Sequence, residues 1–102
     1  MGASKPALRE GRVCIHWGSM YYVYLLKLEG IADKSYYIGY SHDLRQRFRQ
    51  HQNNQVHTTM NKNPKLIYYE SYLTEQLARE RETKLKAFGS AYVGLLKRLG
   101  LR

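Results

Sequence analysis

The chain has 102 residues, enough for one compact domain and too few for a second sizeable core. Seventeen Lys and Arg against eight Asp and Glu give a net charge of +9, which points to a polyanionic partner rather than an acidic or neutral one. A single cysteine, Cys14, rules out an intramolecular disulfide and a Cys-rich zinc cluster, and no apolar run approaches the ~20 residues of a membrane span.

Residues 1–19 show neither helical nor strand periodicity and read as a poorly ordered extension. They also lack the apolar core of a signal peptide, so the expected compartment is the cytoplasm. The folded domain is expected over 20–102. "MYYVYLLKL", residues 20–28, reads as a buried strand. "EGIADK" is a connection carrying Gly30 and Asp33, and "SYYIGY", residues 35–40, is the antiparallel partner strand. Gly39 within it marks a bulge or a close backbone approach.

Ser41 is placed to cap a helix running to about His51, with Asp43 in its first turn. "QNNQVHTTMNKNP" is a polar loop closed by Pro64, and "KLIYYES", residues 65–71, is a third strand. Thr74 caps a second helix reaching about Phe88, stopped by Gly89; Ser90 caps a third, short helix ended by Gly100. The expected architecture is a single small α/β (α+β) domain in the order β-β-α-β-α-α, a three-stranded antiparallel or mixed sheet flanked by helices.

Two helices carry candidate chemistry. With Leu44 at zero and about 100° per residue, Phe48 falls near +40°, His51 near −20° and Arg47 near −60°. Leu44 and Phe48 therefore anchor the helix, with Arg47 and His51 beside the anchor. Arg45 and Arg49 point away as surface charges. Arg47 offers a planar fork of donors suited to phosphate oxygens. On the second helix, Leu77, Leu85 and Phe88 define the expected core face. Glu80 and Glu82 then sit at opposite borders of it, and the wheel does not choose between them. The bland reading is a pair of solvated charges, with Glu80 and Lys84 as an i,i+4 ion pair.

"YVY" at 22–24, "YIG" at 37–39, Arg47 and the "ARERE" helix, in this order, resemble the GIY-YIG nuclease superfamily. The most similar members are the small stand-alone relatives of the nuclease domain of the bacterial excinuclease. The resemblance covers roughly residues 20–88. Tyr22 stands where the first motif usually has glycine, and Tyr40 where the excinuclease domain has lysine. The resemblance implies catalytic roles for Tyr24, Tyr37, Arg47, His51 and Glu80, with Tyr24 or Tyr37 as general base and Glu80, rather than Glu82, as ligand of Mg²⁺ or Mn²⁺. It implies a metal-dependent endonuclease acting on DNA, in repair or recombination. A single carboxylate is chemically sufficient, because Mg²⁺ keeps most of its waters and binds substrate oxygens. A guanidinium nearby is expected to lower the tyrosine pKa. The alternatives are a nucleic-acid-binding module, for DNA or RNA, that kept the fold and lost catalysis, and a basic adaptor argued from charge alone.

Overall fold

The computed structural model describes residues 20–29 and 35–102. The expected extension 1–19 and the turn residues Gly30 and Asp33 lie outside the described residues. Strands β1 (Tyr21–Leu28) and β2 (Ser35–Ser41) are followed by α1 (Leu44–Gln52), a 3₁₀ turn (His57–Thr59), β3 (Lys65–Tyr72), α2 (Glu75–Lys86) and α3 (Ser90–Arg98). The element order is the expected one. The sheet is antiparallel throughout, in the order β2-β1-β3. No helix among the described residues is long and apolar enough to cross a membrane.

The unbroken apolar run of β1 follows from its central place, because both of its faces are covered. Val23, Leu25 and Ile38 pack against Ala78, Leu85, Leu95 and Leu96 of α2 and α3. Tyr24, Leu26 and Leu28 point the other way, toward Leu44 and Phe48 of α1 and Leu66 of β3. A register shift between Leu25 and Leu26 leaves Ile67 of β3 outside the pairing.

Three local expectations are corrected. The cap of α1 is Asp43, whose carboxylate accepts from Gln46 N at 3.1 Å; Ser41 ends β2 and accepts from Asp43 N at 2.9 Å. The cap of α3 is Gly89, with Ser90 already inside the helix, and the left-handed residue that ends the α2 run is Phe88, at φ 57. The buried face of α2 is set by Ala78 (0% exposed) and Leu85 (2%), whereas Leu77 and Phe88 are 49% and 58% exposed. The apolar side chains misled the wheel because the small Ala78 is what lets the helix approach the sheet closely.

The Asn-rich loop has its own logic. Asn54, Asn61 and Asn63 all adopt positive φ, which Asn tolerates better than most residues. Asn54 Oδ1 accepts from Asn61 N at 3.0 Å, and Asn63 Nδ2 donates to Glu29 Oε1 at 2.9 Å, fastening the loop to the end of β1. This clamp delivers Thr59, fully buried, beneath α1. At the other end of the chain, Gly100 (φ 75) closes α3 as a Schellman cap: Leu101 N donates to Leu96 O and Gly100 N to Lys97 O.

Candidate active site

Tyr24 and Gly39 are direct partners across β1 and β2, so both face α1. The Tyr24 ring lies over Gly39, where any side chain would collide with it. Its hydroxyl reaches His51 Nε2 at 2.8 Å, and His51 Nδ1 lies 2.8 Å from Thr59 Oγ1. Thr59 donates its own proton to Val56 O at 3.4 Å, so it accepts from His51 Nδ1–H, which leaves Nε2 as acceptor for the Tyr24 proton. The result is a directed chain, Tyr24 to His51 to Thr59. His51 and Thr59 are the two fully buried polar side chains among the described residues, and each is satisfied by the other.

Tyr37, two residues before Gly39 on the same face, meets the His51 ring edge-on at 5.0 Å and Tyr24 at 6.3 Å. Arg47 is half-buried, and its Nη1 donates to Gln50 Oε1 at 2.9 Å, which holds the fork in place. Burial works against the charge on Arg47, but the Tyr24 and Tyr37 hydroxyls outweigh it and push its pKa up. Four of the five expected site residues, Tyr24, Tyr37, Arg47 and His51, are thus brought together from three elements.

The expectation of a depressed tyrosine pKa is corrected. Burial pushes the Tyr24 phenol up to about 12, against the pull of Arg47, and Tyr37 and Glu82 add to the rise. Burial, and then the Arg47 charge, take His51 down to about 4. Around neutral pH both begin uncharged: a phenol with its proton facing an imidazole nitrogen that is free to take it.

The carboxylates divide. Measured from the Ala78–Leu85 direction, Glu82 lies within about 50° of the buried face and Glu80 on the opposite side of the helix. Glu80 is exposed, accepting from Gln76 Nε2 at 3.2 Å. Glu82 has a side chain only 17% exposed, is paired with Lys86 Nζ at 3.0 Å, and is the acid whose field reaches Tyr24. Sequence reasoning misplaced the helix face and so could not separate them.

The rotation of α2 is held by Glu70 on β3. Arg81 Nε and Nη2 both donate to it, at 3.0 Å each on opposite oxygens, and the Tyr68 and Tyr72 hydroxyls donate as well. Arg98 of α3 donates to the Tyr68 hydroxyl at 2.8 Å, tying the third helix to the same point. Burial opposes the charge on Glu70, yet these donors hold its carboxyl below the usual range. Tyr40, at the position of a family lysine, is on this second face, with the Arg79 guanidinium 4.3 Å from its ring centre. It belongs to the packing of α2 and is turned away from the Tyr24 cluster.

Among the described residues no group of three or more His, Cys, Asp or Glu is spaced to hold a metal ion. A dehydrated ion in an all-protein cage therefore does not fit. One carboxylate beside a phosphate site does fit a hydrated Mg²⁺ or Mn²⁺, which takes its remaining oxygens from water and substrate.

A family model described as the GIY-YIG catalytic domain matches residues 20–94, from the start of β1 into α3. No curated protein and no solved structure matches the chain. With that match spanning most of the chain and its two tyrosine motifs paired on adjacent strands around Gly39, the chain belongs to the GIY-YIG nuclease superfamily.

Proposed function

We propose that this chain is a metal-dependent endonuclease that hydrolyses phosphodiester bonds in DNA, of use in repair or recombination. The observation that carries the reading is the Tyr24 hydroxyl bonded to His51 Nε2 beside the Arg47 fork. A merely structural tyrosine has no need of a proton acceptor backed by a second buried bond.

In the reaction a water oxygen bonds to phosphorus as the bond to the sugar oxygen on the far side breaks. The water proton passes to the Tyr24 oxygen while the phenol proton moves to His51 Nε2, and Thr59 keeps the Nδ1–H oriented. Tyr24 thus acts without a standing phenolate, which a pKa of about 12 would not supply. Arg47 takes up charge on the non-bridging oxygens. The leaving oxygen is protonated from solvent. Tyr37, less buried than Tyr24, positions the water; it is the alternative base. Glu82 is the residue proposed to hold the divalent ion, in place of the Glu80 expected from sequence. Bound there, the ion neutralises charge on the phosphate and the leaving oxygen.

The test is incubation of the protein with labelled branched, overhanging, single-stranded and duplex DNA in Mg²⁺, Mn²⁺ or EDTA. Cleavage with either metal and none in EDTA is expected, lost in Tyr24→Phe and reduced less in Tyr37→Phe. The reverse order makes Tyr37 the base. Salt-sensitive binding with no cleavage of any substrate would leave the inactive nucleic-acid-binding module as the function.

A further inference from the structure

One helix cannot cover a three-stranded face. α1 packs over β2 and β1, and leaves the β3 side of the same face open. There an open groove of about 780 Å³ is lined by Tyr22, Leu44, Phe48, Leu66 and Tyr69, with Arg45 and Arg49 along the α1 wall. Its volume is that of a small-ligand site. Tyr69 stands in it with 54% of its surface exposed, braced by Tyr22 in a T-shaped contact at 6.0 Å. Among the described residues neither Arg45 nor Arg49 has a carboxylate partner within ion-pair distance, although every α2 arginine does. The two arginines that sequence analysis treated as surface charges therefore share a cleft with an exposed aromatic ring.

We propose that this groove holds an unpaired nucleotide flanking the cleavage site, its base stacked on Tyr69 and its phosphates on Arg45 and Arg49. The inference rests on the nuclease reading and adds a substrate class to it: DNA with a single-stranded segment next to the cut. Three features favour this occupant. An aromatic face with a cationic wall is the arrangement that binds single strands without reading sequence. The +9 charge favours a polyanion over an apolar peptide or a second copy of an equally basic chain. Tyr22 and Tyr24 are also two residues apart on one face of β1, about 7 Å, so groove and cleavage centre are adjacent. A duplex keeps its bases stacked on one another and offers none to Tyr69.

Binding is measured in EDTA by fluorescence anisotropy, with a labelled duplex carrying a single-stranded overhang and a blunt duplex of equal phosphate count. Tyr69→Ala is expected to weaken overhang binding about tenfold, within the range for loss of one stacked base. It should leave blunt-duplex binding within about twofold, and Tyr69→Phe should bind as the parent does. Arg45→Ala with Arg49→Ala should weaken both substrates and lower the salt slope of binding by about two. Equal losses on both substrates in Tyr69→Ala, or no loss on either, would overturn the assignment. So would a shift in melting temperature or sedimentation with overhang affinity intact, which would mark the groove as covered by residues 1–19 or by a second copy. The assay needs no cleavage, so a protein that prefers overhangs and cuts nothing would keep this inference and lose the nuclease one.

Discussion

The phenol ring of Tyr24 rests directly on the backbone of Gly39, its partner across the hairpin. A Cβ at Gly39 would fall 2.8 Å from Tyr24 Cε1 and closer still to Cζ and the hydroxyl. Backbone on one side and ring on the other leave nothing that can give. Gly39→Ala should therefore displace the ring, break its bond to His51 and cost about 1–3 kcal/mol, the usual range for overpacking. Cleavage should fall as far as in Tyr24→Phe. Chemical denaturation and a cleavage assay on the same preparation check this. An alanine variant with parental activity would mean that the ring does not need its present seat.

For the carboxylate, Glu82→Gln should reduce Mn²⁺-dependent cleavage by orders of magnitude, since metal stabilisation of developing charge contributes several kcal/mol. Glu80→Gln should cleave nearly as the parent, because Glu80 faces outward on α2. DNA binding in EDTA should survive in both. Cleavage rate against Mn²⁺ concentration for the two variants decides between them, and a dead Glu80→Gln with a live Glu82→Gln would return the role to the residue expected from sequence.

That pair of acids shows where sequence reading stops. On α1 the apolar anchors Leu44 and Phe48 are also the residues that pack, so Arg47 and His51 fall where the wheel puts them. On α2 burial is carried by Ala78 and Leu85, while Leu77 and Phe88, the more apolar-looking markers, stay half exposed. Hydrophobicity registers side-chain size, and close helix–sheet approach requires its absence. The bond from Arg81 to Glu70 joins residues eleven apart on different elements, and Thr59 reaches His51 through a loop whose sequence reads as merely polar. Neither pairing has a local signature. The strands, their order along the chain and the Tyr24–Gly39 relation do, because alternation and a glycine inside an aromatic run are local facts.

Acidification should unfold the protein through His51. Its pKa is lowered by burial, and then by Arg47, from 6.5 to about 4. The unfolded chain therefore binds the proton first as pH falls. His51 thus supports the fold fully above pH 6.5, and that support is lost progressively between about 6.5 and 4, at up to ~1.4 kcal/mol per pH unit. Urea midpoints at pH 7.0, 6.0 and 5.0 should decline for the parent. His51→Gln, which does not titrate, should start lower and decline less. Parallel declines would mean that another group governs the acid limb.

Glu70 offers a separable test of how α2 is positioned. Its carboxylate, 12% exposed, gathers Arg81 and the hydroxyls of Tyr68 and Tyr72, and none of these touches the Tyr24 cluster. Glu70→Ala would strand a partly buried guanidinium and two hydroxyls, and breaking such a pair typically costs about 3–5 kcal/mol. With Arg81 still 26% exposed, a loss of about 2–3 kcal/mol is the reasonable expectation. Glu70→Gln keeps the acceptor oxygen and the shape, so it should lose less. Burial opposes and the donors outweigh it in lowering the Glu70 pKa from 4.5, so its contribution is complete above pH 4.5 and fades below. Measured at pH 7, the Glu70 and His51 effects should therefore add. Because Arg81 immediately precedes Glu82, freeing it should also loosen the carboxylate. In Glu70→Ala, at a temperature where it remains folded, the Mn²⁺ concentration for half-maximal cleavage should rise while DNA affinity in EDTA stays at the parental value. A variant that loses stability with no change in metal requirement would limit the Glu70–Arg81 pair to holding the fold, and would leave the orientation of Glu82 to the packing of Ala78 and Leu85 alone.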